Sequence, residues 1–400
     1  MFNLNEFIST YVTKRPRSMF EKDISDNHGS LSDAIEGKHI LVIGGAGSIG
    51  SSFIRAILPY QPSELVVVDS NENALTELTR GLRSSGSYVP DIYLSYPMDY
   101  SSITFQKMFK VHKGFDIVAN FSAHKHVRSE KDIYSVEALL RNNVINAKGL
   151  LDLLETFPPQ IYFCVSTDKA ANPVNIMGAS KRIMEDLIFS YSSFFPVKTA
   201  RFANVAFSNG SLPQGFLERI NQGQPISAPL DVKRYFVSPQ ESGQICMLSA
   251  ILGANRAIFF PKLEEQQMMT FDKIAEDLLV YMGYEIAYCS SDFEAIEKSK
   301  KWETGMPYPV HFSRADTSGE KAFEEFYVEG ENIDLERFRS LGVIMNKTVP
   351  DKSAVIDLIA DLDRAFESER CNKVDVVNII SAYLPNFEHM ETGKSLDGKM

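Results

Sequence analysis

A hydroxyl, a carboxyl and an amine lie side by side in Thr167, Asp168 and Lys169. They follow the short apolar run Ile161 to Val165, which predicts a buried strand, and ligands bind at the carboxyl ends of the strands in open α/β sheets. All three side chains can face one pocket only if the chain turns after the strand, and Pro173 favours such a turn. An acid and a base held close together with distinct pKa values can move protons on a bound substrate. The segment therefore predicts an acid-base site.

A glycine-rich segment lies between an apolar run at residues 39–43 and a helical pattern at residues 51–58. Gly44, Gly47 and Gly50 have the spacing GxxGxxG, which permits a tight turn and lets the backbone approach a pyrophosphate. The N-terminus of the following helix would supply amide donors to the phosphates. The sequence therefore predicts a dinucleotide site. The residues predicted to form its turn are Gly44, Gly47, Ser48, Ile49 and Gly50.

The choice of dinucleotide depends on Asp69, which ends the second apolar run nineteen positions after Gly50. A carboxylate there can accept hydrogen bonds from an adenosine ribose and repels a 2′-phosphate. The next three residues, 70–72, include no arginine or lysine that could attract such a phosphate. The predicted cofactor is therefore NAD rather than NADP. Asp99, which follows the third apolar run, is a candidate to bond the adenine amino group.

Met177 and Lys181 are four residues apart, so on a helix they share one face. Lys181 could then reach the ribose hydroxyls and the nicotinamide region of the cofactor. Met177 has no proton to exchange, so it either packs in the core or marks a site whose proton chemistry lies elsewhere. The neighbouring Thr167, Asp168 and Lys169 favour the second reading.

These residue types fit dehydration coupled to a transient oxidation. In such a cycle a hydride leaves a sugar carbon for NAD, and the ketone that forms acidifies the neighbouring C–H group. A base then removes that proton, an acid protonates the departing hydroxyl, and the hydride returns. Asp168 would have to be protonated, which burial favours. Lys169 would have to be neutral, which desolvation and the charges of Lys181 and nicotinamide favour.

Apolar runs alternate with helical patterns from residue 38 to about residue 204, which indicates a parallel sheet covered on both faces. The predicted fold class is α/β, a Rossmann-type doubly wound parallel sheet with a smaller C-terminal substrate-binding domain. An N-terminal arm at residues 1–36 is expected to pack on a neighbouring molecule. The other predicted parts are a NAD-binding domain at 37–207, to which 239–256 returns, a substrate-binding domain at 208–330, and a helical extension at 331–400 with a disordered tail.

The composition narrows the class of protein. A net charge of -11 argues against nucleic-acid binding, because phosphate neutralisation needs clustered lysine and arginine. The four cysteines are widely spaced, so they predict neither a zinc site nor a disulfide framework, and His124 and His126 lack the supporting cluster that a metal site needs. No basic leader or long apolar stretch is evident in the sequence. We therefore expect a cytoplasmic protein with no metal and no membrane insertion.

Further segments accompany these motifs, and together they resemble the nucleotide-sugar 4,6-dehydratases of the extended short-chain dehydrogenase superfamily. These segments are Ala123 to Val127, Asn142 to Val144, Arg201 to Val205, Lys233 to Phe236 and Ser318 to Lys321. The branch they resemble most is the soluble UDP-N-acetylglucosamine 4,6-dehydratases related to bacterial capsule and polysaccharide biosynthesis proteins. The resemblance runs from about residue 37 to about residue 327. Such enzymes usually keep a tyrosine base four residues before the lysine, and Met177 stands in its place.

The resemblance also implies roles for single residues. Asp168 would be the acid toward the C6 hydroxyl and Lys169 the base at C5, while Thr167 with Lys181 would assist loss of the C4 hydroxyl proton. The methionine branch is associated with retention of configuration at C5. The residues implied to contact the nucleotide sugar are Lys125, Asn204 and Arg234.

Two places depart from the family pattern. The first place lies near the cofactor. There the family pattern tends to have Ala-Ala and Pro, and this sequence has Phe121 to Ala123 and Arg128. Ala206-Phe207-Ser208 replaces the usual Leu-Gly-Ser, which lies near the sugar. The exact sugar substrate is therefore left open.

Three functions remain to be separated. The first is NAD-dependent dehydration of a UDP-N-acetylhexosamine to a 4-keto-6-deoxy sugar. The second is epimerisation of a nucleotide sugar, which usually needs the missing tyrosine and has no use for an acid at C6. The third is a non-catalytic NAD-binding scaffold. In this superfamily the helices that follow Asn143 and Met177 commonly form dimer faces, so a homodimer or larger homo-oligomer is expected by resemblance.

Overall fold

The computed structural model describes residues 2–126, 130–315, 325–345 and 348–390. The strands in these ranges are β1 (His39–Ile43), β2 (Glu64–Asp69), β3 (Ile92–Pro97), β4 (Ile117–Asn120), β5 (Ile161–Thr167), β6 (Val197–Phe202), β7 (Asn204–Val205), β8 (Ile226–Pro229), β9 (Lys233–Arg234), β10 (Phe236–Val237), β11 (Ile258–Pro261), β12 (Met269–Thr270), β13 (Ile286–Tyr288), β14 (Tyr308–Ser313), β15 (Ile333–Asp334) and β16 (Leu341–Ile344).

The α-helices are α1 (Leu4–Phe7), α2 (Glu21–Asp26), α3 (His28–Ile35), α4 (Ser48–Ile57), α5 (Glu72–Ser84), α6 (Ile103–His112), α7 (Ile133–Leu140), α8 (Asn146–Thr156), α9 (Ile176–Ser190), α10 (Leu212–Gln222), α11 (Pro239–Leu252), α12 (Phe271–Tyr281), α13 (Asp292–Ser299), α14 (Lys352–Phe366) and α15 (Lys373–Tyr383). Short 3₁₀-helices span Leu58–Tyr60, Asp168–Ala170 and Glu265–Gln267, and π-helical turns span Ile8–Val12 and Arg141–Ile145.

The largest sheet in the described ranges has the order β15-β16-β11-β6-β5-β4-β1-β2-β3. The seven strands from β3 to β11 are parallel, and β16 and β15 close the edge in antiparallel orientation. Residues 40–43 and 65–68 are nearly inaccessible because helices cover both faces, which explains their unbroken apolar sequence. The strand order reverses between β1 and β4, and the crevice for a ligand opens at the carboxyl ends there. The predicted α/β doubly wound fold is confirmed.

A smaller sheet of β13, β14 and β8 forms a second layer with helices α10 and α12. Ile226, Leu278 and Tyr308 lie in the core that it shares with these helices. Two segments that lie between β8 and β13 in the sequence are instead associated with the main sheet. Helix α11 packs on α4, where Gly243 allows the close approach to the Ser52 carbonyl. Strand β11, which the sequence assigned to the substrate-binding domain, pairs with β6.

The N-terminal segment packs on its own chain and contains the short helices α1, α2 and α3, while its expected contact with a neighbouring molecule stays a prediction. Phe7 and Val12 are buried in the core of the smaller unit, whereas Phe20 is buried in the main core. The buried Asp23 carboxylate accepts hydrogen bonds from the backbone N–H groups of Arg339 and Ser340 at 2.7 and 2.9 Å. Periodic sequence signals could not show this, because the contacting residues lie more than 300 positions away.

The C-terminal extension begins with β15 and β16, which the prediction of a purely helical extension missed. Its two helices, α14 and α15, match the amphipathic stretches in the sequence, and α14 packs over α9. In α9 every residue except Arg182 is buried. The helix after Met177, expected from the resemblance to offer a dimer face, is therefore covered within the single chain. The predicted disordered tail, residues 392–400, lies outside the described residues.

Across the described ranges, none of the helices combines the length and the apolar character needed to cross a bilayer.

Candidate active site

The glycine turn between β1 and α4 has the close contacts that require glycine. Gly44 has φ of +70°, and a Cβ there would lie 2.7 Å from the backbone nitrogen of Ser122. A Cβ at Gly50 would lie 2.3 Å from the Gly44 carbonyl oxygen, so helix and turn meet without a side chain between them. Gly47 at the N-cap provides no side-chain acceptor to the first turn of α4, which leaves amide donors for an anion.

The carboxylate of Asp69 is fixed beside this turn. One oxygen accepts a hydrogen bond from the backbone N–H of Ala46 at 3.0 Å, and the other accepts from that of Asn71 at 2.9 Å. Asp99 is exposed, and its carboxylate accepts from the N–H and hydroxyl of Ser101 at 2.7 and 2.8 Å. The structure therefore joins Asp69 to the glycine turn, while Asp99 is engaged in the turn that precedes α6.

The predicted acid-base residues form one hydrogen-bonded cluster at the end of β5. A 3₁₀ turn follows the strand at Asp168–Ala170 and brings the three side chains together. The Oδ1 atom of Asp168 accepts hydrogen bonds from the Thr167 hydroxyl at 2.7 Å and from the Lys169 Nζ at 3.2 Å. Thr167 and Lys169 line a cleft, whereas Asp168 is buried behind them and is not among the lining residues. A proton can thus pass between the cleft and Asp168 through its two neighbours.

Lys181 lies beneath the same cleft on α9. Its Nζ donates to the Val165 carbonyl at 3.1 Å, and its side chain is buried. Burial lowers the pKa of Lys181 to about 8, an effect that the nearby Cys164 and Glu185 oppose. The amine is therefore close to equal populations of its charged and neutral forms at mildly alkaline pH.

Met177 lies at the first turn of α9 and also lines the cleft. Its backbone N–H donates to the Glu130 Oε1 at 2.8 Å, and Glu130 Oε2 lies 3.4 Å from the His389 Nε2. Lys373 donates to the Glu130 carbonyl at 2.9 Å. The C-terminal extension thus fixes the carboxylate that holds the start of α9. Sequence patterns do not indicate this contact, because Glu130 and His389 belong to no motif.

The cleft has a volume of about 670 Å³ and extends from the glycine turn to the smaller unit. It brings together most of the residues proposed from the sequence for catalysis and sugar binding. Those that line it are Lys125, Thr167, Lys169, Met177, Lys181, Asn204 and Arg234, and Ile49 of the predicted cofactor turn lines it as well. Lining residues that the sequence did not suggest include Glu218, Arg219 and Arg314. Cationic side chains from both units therefore face one space.

The departure at Ala206-Phe207-Ser208 has a visible structural effect. Phe207 has φ of +54°, a left-handed conformation that costs a residue with a side chain about 1–3 kcal/mol. Ser208 lines the cleft, and its hydroxyl lies 3.4 Å from the Lys125 Nζ, from which it accepts a hydrogen bond. Burial lowers the pKa of Lys125. Val127 and Arg128, and the segment Ser318 to Lys321, lie outside the described residues.

A buried network of ion pairs is connected to strand β5 through Ser166. Arg201 is fully buried and donates to both carboxylate oxygens of Glu185 at 2.9 and 2.8 Å. Its guanidinium also reaches Glu331 at 3.2 Å. The hydroxyl of Ser166, which lines the cleft next to Thr167, donates to Glu185 at 2.7 Å. The network therefore links the acid-base segment to β6 and to the segment before β15.

We expect Lys181→Met to weaken the alkaline pH dependence of stability. The unfolded chain keeps a lysine protonated up to its usual pKa of 10.5, whereas folded Lys181 releases its proton near pH 8. Between these values the unfolded state binds more protons, so this group makes the folded state more stable as the pH rises. Relative to Lys181→Met, the wild type should gain about 2 kcal/mol of unfolding free energy between pH 8 and pH 10. Urea titrations at several pH values would measure it, and parallel curves would contradict the lowered pKa.

The chain is similar to several known proteins. The family model of polysaccharide biosynthesis proteins matches residues 40–345. EpsC of Bacillus subtilis, described as a probable polysaccharide biosynthesis protein, is 27% identical over 319 residues, which cover 78% of this chain and 51% of EpsC. A UDP-N-acetylglucosamine 4,6-dehydratase (inverting) of Campylobacter jejuni is 24% identical over 242 residues, which cover 58% of this chain and 69% of that protein.

Among solved structures, Pen from Bacillus thuringiensis superposes with a TM-score of 0.62 at 20% sequence identity. The superposition covers 82% of this chain and 98% of Pen. The chain spans about half the length of EpsC. The fold is thus shared with Pen, and the family match includes the glycine turn, the acid-base cluster and most of the smaller unit.

Proposed function

Since the chain belongs to the polysaccharide biosynthesis protein family, we propose that it is an NAD-dependent 4,6-dehydratase of a UDP-N-acetylhexosamine, with UDP-N-acetylglucosamine as the preferred candidate. The observation that carries this proposal is the cluster of Thr167, Asp168 and Lys169, two of which line the cleft, with methionine at position 177. A site for oxidation alone needs one proton acceptor. Elimination of water needs a base and an acid close together, which this cluster supplies.

The glycine turn and Asp69 fit NAD. The space kept open by Gly44 and Gly50 suits a pyrophosphate, and the fixed Asp69 carboxylate suits a ribose with free hydroxyls. Lys181 would lie toward the ribose and nicotinamide. NAD, when bound, would accept a hydride from the sugar C4 and later return it to C6. The remaining steps are proton transfers by side chains of this chain.

The hydrogen bonds of the cluster suggest how protons move without a tyrosine. The C4 hydroxyl would give its proton to Thr167, whose own proton passes along its hydrogen bond to Asp168. Asp168, now protonated, would supply the proton with which the C6 hydroxyl leaves as water. Neutral Lys169 would take the C5 proton, and the resulting ammonium group would return a proton to C5 after the hydride has reached C6. The two protons are then balanced, and return from the same base predicts retention at C5.

Charge supports binding of a nucleotide diphosphate at the other end of the cleft. Lys125, Arg219, Arg234 and Arg314 line it, and all carry donors that suit phosphate oxygens. Asn204, on the strand β7, lines the same cleft. A UDP-sugar could therefore place its phosphates on the smaller unit and its hexose beside Lys169.

The proposal is tested by incubating the protein with NAD and UDP-N-acetylglucosamine and following the nucleotide sugar by mass spectrometry. Loss of one water with no net consumption of NAD is the expected result. An unchanged mass with a new sugar would instead show epimerisation. Binding of NAD without conversion of the UDP-N-acetylhexosamines tested would favour the non-catalytic scaffold.

A further inference from the structure

The N-terminal segment, residues 2–20, forms an aromatic cluster with the smaller unit. The ring of Phe7 is stacked on Tyr11 at 5.2 Å and packs on Tyr281 at 5.5 Å between centroids. Phe207 completes the cluster by meeting Phe7 edge-to-face at 5.8 Å. Phe7 is fully buried and Phe207 is 7% exposed, so neither ring is free to move without opening the core. From here on, the arm means residues 2–20 only, which is shorter than the predicted arm of residues 1–36. The arm therefore holds the Phe207 side chain in place.

The backbone of Phe207 makes that anchoring necessary. A left-handed φ is unfavourable for a residue with a Cβ and persists only where the surroundings fix it. Glycine would adopt the same conformation without cost. The described fold thus keeps a large aromatic side chain at a position where the backbone alone would prefer glycine. The contact with the arm supplies a reason for that choice.

The residues that follow Phe207 connect the two ends of the cleft. The backbone N–H of Asn209 donates to the Ser48 hydroxyl in the first turn of α4 at 2.9 Å. The preceding residue, Ser208, contacts Lys125, and Gly210 lies so close to His126 that a Cβ would be 2.9 Å from its ring. The loop 207–211 therefore touches both the glycine turn and the cationic end of the cleft.

The arm also contacts strand β10. Arg15 donates to the Phe236 carbonyl at 2.9 Å and forms a bidentate pair with the buried Glu241 at 2.8 and 2.7 Å. Phe236 lines the cleft and pairs with Asn204 across β10 and β7. The N-terminal segment thus contacts β10 directly, and it is connected to β7 through the pairing of these two strands.

We propose that the arm sets the shape of the substrate cleft by anchoring the loop 207–211 through Phe207, which makes Phe207 a positioning residue for the nucleotide-sugar end. The identity of that ligand rests on the proposed function. The anchoring itself does not, because it follows from contacts within the chain. Loss of the Phe207 ring should release the loop even though the backbone strain disappears with it.

The test uses full-length Phe207→Gly and Phe7→Ala, with Phe109→Ala as the matched control. Phe109 is also fully buried and packs on Phe105 and Phe115, but it belongs to α6 in the main core. Hydrogen exchange followed by mass spectrometry reports the amides of residues 206–211, and calorimetry reports the affinity for UDP. Phe207→Gly relieves strain, so it should fold even if Phe7→Ala does not.

The expected result is at least about tenfold less protection of the 206–211 amides and about tenfold weaker UDP binding in the arm and loop variants. The control should lose global stability while keeping the relative protection of this loop and its UDP affinity. Unchanged protection in Phe207→Gly would overturn the anchoring. Lost protection with unchanged UDP affinity would overturn the role in shaping the cleft. If the wild type binds no UDP, and the loop loses protection in Phe207→Gly, the proposed function fails and the anchoring stands.

Discussion

Lys169→Met is expected to lower kcat for dehydration of UDP-N-acetylglucosamine by about 10²–10⁴-fold, the range typical for loss of a general base. Methionine keeps much of the length of the side chain but cannot take the C5 proton. The substitution also removes the amine that lies 3.2 Å from Asp168, so proton transfer to the C6 hydroxyl should be slower too. KM for the UDP-sugar should change far less than kcat, because the phosphates are proposed to bind at the other end of the cleft.

Solvent deuterium provides a second measurement that isolates the base. The wild type in D₂O should place deuterium at C5 of the product, since Lys169 exchanges its protons with solvent before returning one. Lys148→Met, which breaks a surface pair with Asp152 on α8, is the control and should retain wild-type kcat. If Lys169→Met kept wild-type turnover and deuterium incorporation, another group would have to be the C5 base.

Arg201→Met is expected to lower the free energy of unfolding by about 3–5 kcal/mol, because it leaves the carboxylates of Glu185 and Glu331 buried without their cation. Chemical denaturation would measure the loss. Arg80→Met removes an exposed pair with Glu77 and should cost less than about 1 kcal/mol.

A double substitution separates the two parts of this effect. Arg201→Met combined with Glu185→Leu removes the buried charge together with its partner, so it should recover part of the lost stability. Equal losses in the single and double variants would mean that the packing of the arginine, and not the unpaired carboxylate, carries the effect.

The sequence predicted the parts of the site that depend on neighbouring residues. The GxxGxxG turn and the segment from Thr167 to Lys169 each follow a buried strand directly, and strand order brings their carboxyl ends together. Glu130, which holds Met177, could not be found in this way, because its contact depends on how distant elements pack. The same holds for the arm. Its residues Phe7 and Arg15 have no period that predicts partners at positions 207 and 241.

The short strands β15 and β16 were missed for a related reason. Strand β15, at the edge of the sheet, has two residues, and β16 has four. Such segments carry too little alternation to be separated from a loop. The pairing of β16 with β11, and of β15 with β16, depends on an edge that exists only after the parallel strands have assembled. By contrast, α14 and α15 were visible because their amphipathic pattern repeats over several turns.

The hydrogen bonds that Asp23 accepts from the backbone N–H groups of Arg339 and Ser340 have a consequence for how the chain reaches its fold during synthesis. The carboxylate of Asp23 and the backbone N–H of Ser340 are 317 positions apart in the sequence. At ribosomal rates of about 5–20 residues per second, this interval takes on the order of 15–60 s. Until Ser340 has been made, the buried carboxylate of Asp23 lacks these two partners. Helix α2 therefore reaches its full set of native contacts only after the residues before β16 have been synthesised.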